Sequence, residues 1–270
     1  MGQRPKKPGI SFTPVERHGN VWIKRDDLYR IAGVSGGKAR TCWHLAQGAP
    51  GLVTAGARSS PQVNIVAHIA KGLGIPCCCH VPQGKLLPEV QAAVHAGAEI
   101  KQHTPGRNSV IIKRARDDAA QRGWREIPFG MECVEAVQQT AAQVGNLPPD
   151  IERIVVPVGS GMSLAGILTG LCNSGRSIPV LGVRVGADPT KRLDKYAPPN
   201  WRELSEVVDS GVPYKDEVHV DFPIKLDPIY EAKCVKFLRP GDLLWVVGIR
   251  ESAAVLPSPG APGGNKFQGK

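Results

Sequence analysis

The sequence predicts an α/β protein with two parallel sheets, each packed in three layers. Two observations carry this. Short apolar runs of strand length alternate with longer amphipathic stretches of helix length, and glycines punctuate the junctions. A strand that follows a helix of this length returns parallel to its predecessor, because the crossover carries the chain back to the same end of the sheet. The composition agrees: of 270 residues, 41% are hydrophobic and 21% charged, enough apolar matter for a real core and too much for a disordered chain.

In order along the chain, Leu52–Ala55 reads as a buried strand and the stretch from Val63 to Gly72 as a helix ending at glycine. Pro76 to Val81 is the next strand, Leu87 to Ala96 a helix, and Ala98 to Lys101 a strand. Val110 to Arg122 is then a helix and Trp124 to Ile127 a strand. A second series starts with a helix from Glu132 to Val144. It continues with a strand from Ile154 to Val158, a glycine turn, a helix from Leu164 to Leu171, and strands from Pro179 to Val185 and Leu243 to Val247. Residues 252–270, rich in Pro, Gly and Ser, read as a mobile tail.

Several classes of function fall away on the same reading. The charged N-terminus is not followed by an apolar core and cleavage site, and no apolar run is long enough to span a bilayer, so a cytoplasmic protein is expected. Seven cysteines, three of them consecutive at Cys77, Cys78 and Cys79 in a strand-like run, read as reduced, buried thiols rather than a disulfide framework. No C-x-x-C pair is present and no metal site is expected. The net charge of +10 suits either a polyanionic partner such as nucleic acid or a solvated basic surface. The densest cluster, Lys113, Arg114, Arg116 and Arg122 with Asp117 and Asp118 between them, reads as the solvated face of a helix.

Two glycine-lined turns carry chemistry. Gly33-Val34-Ser35-Gly36-Gly37-Lys38 precedes a helical stretch, so Lys38 lies near a helix N-terminus beside residues that allow close backbone approach. It is not a nucleotide-binding P-loop, which needs glycine and Ser or Thr where this chain has Ala32 and Ala39. By itself the segment also fits a surface lysine after a flexible turn. Gly159-Ser160-Gly161-Met162-Ser163 follows a buried strand and opens a helix, placing backbone N–H groups and a hydroxyl where a phosphate monoester fits. Leu164 stands where a dinucleotide fingerprint needs its third glycine. A tight strand-to-helix turn without a ligand is the other reading.

With these turns in place, the segments Val21 to Leu28, Gly36-Gly37-Lys38-Ala39-Arg40, Val53-Thr54-Ala55-Gly56, Gly159 to Gly166 and Leu226 to Lys233 together resemble the 1-aminocyclopropane-1-carboxylate deaminase and D-cysteine desulfhydrase family. These are fold-type II enzymes, related to tryptophan synthase β, that depend on pyridoxal 5'-phosphate (PLP). The resemblance runs from about Phe12 to Gly248. It implies a large PLP-binding domain over residues 1–44 and 128–251, a small α/β domain over 45–127, and a homodimer. It also implies a Schiff base between PLP and Lys38, with Lys38, Tyr230 and Ser60 as catalytic residues. Gly159, Ser160, Gly161, Met162 and Ser163 would hold the cofactor phosphate, and Glu231 would face the pyridine nitrogen.

The activity implied is that of a lyase or deaminase releasing ammonia and a 2-oxo acid from a small amino acid. The Tyr230-Glu231 pair resembles the deaminase branch, since a threonine commonly follows that tyrosine in desulfhydrases. If the two residues lie on an extended stretch, their side chains point opposite ways, Tyr230 to substrate and Glu231 to cofactor.

Three departures stand beside the match. The family's Ser-Asn-His or Ser-Asn-Gln is Ser60-Pro61-Gln62 here, and Pro61 has neither a side-chain amide nor an N–H for the cofactor's ring oxygen. The stretch before Leu226 is short and lacks a substrate-facing Tyr-Gly segment, and Thr41 replaces a common lysine. These leave two other readings open: a PLP enzyme acting on an amino-acid-modified nucleic acid base, and a non-catalytic PLP-binding protein.

Overall fold

The computed structural model describes residues 11–104 and 106–248; the expected tail lies outside them. Val15–His18 (β1) and Val21–Arg25 (β2) form an antiparallel pair turned at Gly19 and Asn20. A two-stranded ribbon, Arg30–Ile31 (β3) with Val34–Ser35 (β4), leads into the helix Gly37–Ala46 (α1). The first alternating series is then Leu52–Ala55 (β5), Pro61–Leu73 (α2), Cys77–Pro82 (β6), Pro88–His95 (α3), Glu99–His103 (β7), Asn108–Arg122 (α4) and Arg125–Ile127 (β8). The second is Val134–Ala142 (α5), Arg153–Val158 (β9), Met162–Asn173 (α6), Val180–Arg184 (β10), Thr190–Tyr196 (α7), Trp201–Leu204 (α8), Ser205–Asp209 (β11) and Asp242–Val246 (β12).

The strands form a four-stranded sheet in the order β7-β6-β5-β8, wholly parallel, and a six-stranded sheet in the order β1-β2-β12-β9-β10-β11. In the larger sheet only the β1–β2 edge pair is antiparallel. β5 and β12 are buried along their whole length, because a parallel sheet is covered on both faces and its strands become continuous apolar runs. The pleat sorts the small sheet's side chains. Leu52, Cys77 and Cys79 pack in the cluster that includes Val63, Val66 and Ile69 of α2, whereas Val53, Ala55 and Cys78 pack against Ile111, Ala115 and Ala119 of α4.

The large sheet is sorted likewise. Ile154, Val156, Leu243 and Trp245 share a cluster with α5 and α6, while Val155, Leu244 and Val246 pack against Leu226, Ala232 and Cys234. That second cover is a 3-10 helix, Glu231–Phe237, with the irregular chain before it. The expected extended stretch at Tyr230 and Glu231 is therefore corrected. Asp227 Oδ1 accepts from the N–H groups of Ile229 and Tyr230, and the Ala232 N–H donates to the Asp227 carbonyl, which coils the chain there.

The consecutive cysteines are buried and free. On α4, Lys113 pairs with Asp117, Arg116 with Glu126, and Arg122 with Asp118. Among the described residues no helix is long and apolar enough to cross a membrane.

Candidate active site

One cavity opens where the C-terminal ends of β2, β5, β9 and β12 converge, the usual place for a ligand in a parallel sheet. Lys38 reaches it as the second residue of α1. Gly36, at φ 92°, starts the helix; a Cβ there would stand 2.8 Å from the Val247 carbonyl oxygen, so a side chain would push α1 off the end of β12. The Gly37 N–H then donates to that same carbonyl at 3.0 Å.

The helix is held from inside by a buried ion pair. Arg40 Nη1 and Nη2 donate to Asp26 Oδ1 and Oδ2 at 3.1 and 3.0 Å. Thr13 Oγ1 donates to Oδ1 at 2.7 Å and Trp245 Nε1 to Oδ2 at 3.2 Å. Four donors thus converge on one carboxylate directly beneath the turn that carries Lys38.

On the opposite wall β9 ends at Val158 and the chain turns through Gly159, Ser160 and Gly161, the last at φ 90°, into α6. The first N–H groups of α6 have no carbonyl within the helix and, with the helix dipole, form an anion cradle. Gly159 to Ser163 all line the cavity. Ser160 Oγ donates to the Gly130 carbonyl at 3.1 Å, which ties this turn to the end of the small sheet. Gly159 is tightly placed: a Cβ would lie 2.9 Å from Tyr230 Cε1.

Tyr230 lines the same cavity and also an adjoining, more open compartment that holds Ser60, Tyr214 and again Lys38. Ser60 caps α2, its Oγ accepting from the Gln62 N–H at 3.3 Å. Glu231 does not line the cavity; it is fully buried behind it. Its Oε1 accepts from the N–H groups of Val247 and Gly248, at 3.0 and 3.4 Å, and both of those residues form the cavity wall. Its Oε2 is buried with no hydrogen-bond partner. Burial raises this carboxyl above the usual carboxylate range, with nearby Asp227 adding to the effect and the backbone donors opposing it.

Three contributors were not singled out from sequence. Asp26 lies inside a motif whose partner, Arg40, only the fold brings near. Asn64 lines the cavity one helical turn after Pro61. Tyr214 lies in the stretch before Leu226, and its hydroxyl stands 3.4 Å from that of Tyr230, with the rings edge to face. Away from the cavity, Cys78, His80 and Asp118 come together in the small sheet. Asp118 is already bonded there to Lys101 and Arg122, and that positive charge disfavours a cation.

An amine and an anion cradle thus face one cleft, with a buried acid behind its wall. The family model described as pyridoxal-phosphate dependent enzyme matches residues 7–215. A 1-aminocyclopropane-1-carboxylate deaminase of Burkholderia lata is 26% identical over 220 residues, 72% of this chain and 64% of that protein. A putative 1-aminocyclopropane-1-carboxylate deaminase of Thermotoga maritima is 26% identical over 268 residues, 82% and 84% of the two chains. The chain thus spans about 64% of the length of the Burkholderia relative. Among solved structures, an ACC deaminase homologue superposes with a TM-score of 0.75 at 24% identity, covering 88% of this chain and 89% of that one. A fungal L-serine ammonia-lyase from Rhizomucor miehei gives 0.65 at 17%, covering 88% and 93%. These likenesses show the fold-type II architecture, and the match over most of its length shows that the chain belongs to the family of pyridoxal-phosphate dependent enzymes.

Proposed function

We propose that this chain is a PLP-dependent lyase or deaminase that releases ammonia and a 2-oxo acid from a small amino acid. The observation that carries the proposal is the convergence of Lys38 and the Gly159–Ser163 turn on one cavity, with Glu231 buried behind its wall. The residues fit the cofactor at its phosphate and at its aldehyde. The N-terminus of α6 suits its phosphate and Lys38 Nζ suits its aldehyde, while Glu231 Oε1 fixes the Val247 and Gly248 backbone that walls the site. When bound, PLP supplies a sink for the electrons released at the substrate's α-carbon.

The remaining work falls to the chain's own groups. Lys38 Nζ would hold the cofactor and, when free, would take and return a proton. Tyr230 and Ser60 offer hydroxyls from the open compartment, with the edge of Tyr214 narrowing the approach. Ser163 adds a hydroxyl to the phosphate cradle. On this proposal residues 1–44 and 128–251 form a large domain on the six-stranded sheet, residues 45–127 form a small one on the four-stranded sheet, and two copies of the chain form a homodimer in the cytoplasm. On α4, Lys113, Arg116 and Arg122 are paired with carboxylates and Arg114 donates to His103 Nδ1, which gives a nucleic-acid-linked substrate no particular support.

The test is borohydride reduction of the purified protein with PLP, followed by peptide mapping, beside an ammonia-release screen over small amino acids. The expected result is label on Lys38 and turnover of at least one amine. Label on Lys24 or elsewhere would overturn the assignment.

A further inference from the structure

The first turn of α2 meets the cavity through Pro61, Asn64 and Ile65, spaced three and four residues apart on one helix face. Pro61 brings no hydrogen-bonding group to that wall. Asn64 brings one. It is 3% exposed, and its side-chain oxygen is buried with no hydrogen-bond partner. Its backbone carbonyl is engaged by His68 Nδ1 at 3.1 Å, so the side chain alone is left over.

The neighbouring Gln62 shows what a structural amide looks like in the same turn. Its Nε2 donates to Thr54 Oγ1 at 2.9 Å and to the Pro128 carbonyl at 2.8 Å, and its Oε1 accepts from the Gly130 N–H at 2.8 Å. Gln62 is spent on joining α2 to β5 and β8. Asn64 is not spent, and a buried amide without partners destabilises the fold that contains it unless a ligand completes it.

PLP has four polar features: an aldehyde, a phosphate, a ring nitrogen and a ring hydroxyl. Lys38 and the α6 turn answer the first two, and the hydroxyl sits on the ring beside the aldehyde. Among the described residues, Asn64 is the cavity-lining side chain with a buried polar atom that has no hydrogen-bond partner. Resting on the cofactor reading above, we propose that Asn64 is a cofactor-binding residue whose side-chain amide donates to the ring hydroxyl oxygen of PLP. It does so one helical turn beyond Pro61, which has no group to offer. The amide's oxygen and nitrogen exchange places by a half-turn of χ2, so the donor is available to an ionised ring oxygen.

The test is a pair of full-length variants, Asn64→Leu and Asn64→Asp, read by PLP affinity, by the pH titration of the bound chromophore and by urea unfolding without added PLP. Asn64→Leu is expected to weaken PLP binding about tenfold, the loss for a hydrogen bond to a charged oxygen. It should also move the spectral transition to higher pH, because the ionised ring oxygen loses a donor, while stability without PLP is unchanged or higher. Asn64→Asp places a carboxylate against that oxygen and should weaken binding further. Unchanged affinity and titration in Asn64→Leu would overturn the proposal, as would a loss of stability without PLP, which marks a structural amide. Failure of the cofactor reading itself looks different: the wild-type chain would then not take PLP on Lys38.

Discussion

The most demanding test of the fold's link to chemistry is Asp26→Asn. Asp26 and Arg40 are 2% and 6% exposed, and the carboxylate accepts four hydrogen bonds, two from the Arg40 guanidinium. Asparagine keeps the shape but loses the charge and turns one acceptor into a donor that faces other donors. Breaking a buried pair by removing one partner leaves the other charge uncompensated and costs about 3–5 kcal/mol. The lower end applies here, about 3 kcal/mol, because one amide oxygen can still accept from part of the fork. With a urea dependence of about 3 kcal/mol per molar for a chain of this size, the unfolding midpoint should fall by about 1 M. The assay is urea unfolding followed by tryptophan fluorescence, with Trp245 itself bonded to Asp26. Because the pair holds the helix that carries Lys38, PLP attachment should slow in the same variant. A midpoint within about 0.2 M of wild type would refute the reasoning and demote the pair to a bystander.

Two further outcomes follow from the geometry. Gly159→Ala places a Cβ 2.9 Å from Tyr230 Cε1, so the phenol must shift; turnover should fall about 10- to 100-fold while PLP absorbance is retained, as steady-state rates with a spectrum would show. The pH dependence of stability is expected to run through Asp118. Burial alone would raise its carboxyl, but hydrogen bonds from Lys101, His80 and Arg122 outweigh that and hold it well below the usual range. The unfolded chain therefore takes up the proton first, near its ordinary value of about 3.9, so the stabilisation is complete above that pH and lost as pH falls below it. The gap between thermal melts of wild type and Asp118→Asn should begin to narrow as pH falls below about 5 and go on narrowing down through the lower folded value, and a constant gap would contradict the assignment.

Much of the fold was legible because parallel strands buried on both faces leave unmistakable apolar runs; the strands at Leu52–Ala55, Arg153–Val158 and Asp242–Val246 all lie within two residues of their expected bounds. The missed elements are those without such a signature. β11, Ser-Glu-Val-Val-Asp, is an edge strand bearing charges at Glu206 and Asp209, which is how edges avoid further pairing and also how they hide from a hydrophobic pattern. The 3-10 helix over Glu231–Phe237 is too short to show a period, and its start is set by Asp227 bonding to the following N–H groups rather than by any run of helix formers. Within the site, Lys38 and the Gly159–Ser163 turn were visible because glycine and a helix start leave marks in sequence. The partnership of Tyr214 with Tyr230, sixteen residues apart across an irregular loop, leaves none.

Pro61 shows why a departure from a motif is hard to weigh before the structure is known. In sequence it removes the amide that the family resemblance implies next to the serine, and this counts against the cofactor site. In the structure it occupies the first position of α2, where its fixed φ favours the helix start and its missing N–H costs nothing, while Ser60 caps the same turn. The substitution therefore suits the helix while taking a polar group from the cavity. A helix presents the residue three positions on to the same face, and there stands Asn64 with an unsatisfied buried amide. On the role proposed for Asn64, the loss at one position and the unmet hydrogen bond one turn away are parts of a single arrangement, in which Pro61 favours the helix start and Asn64 supplies the polar contact.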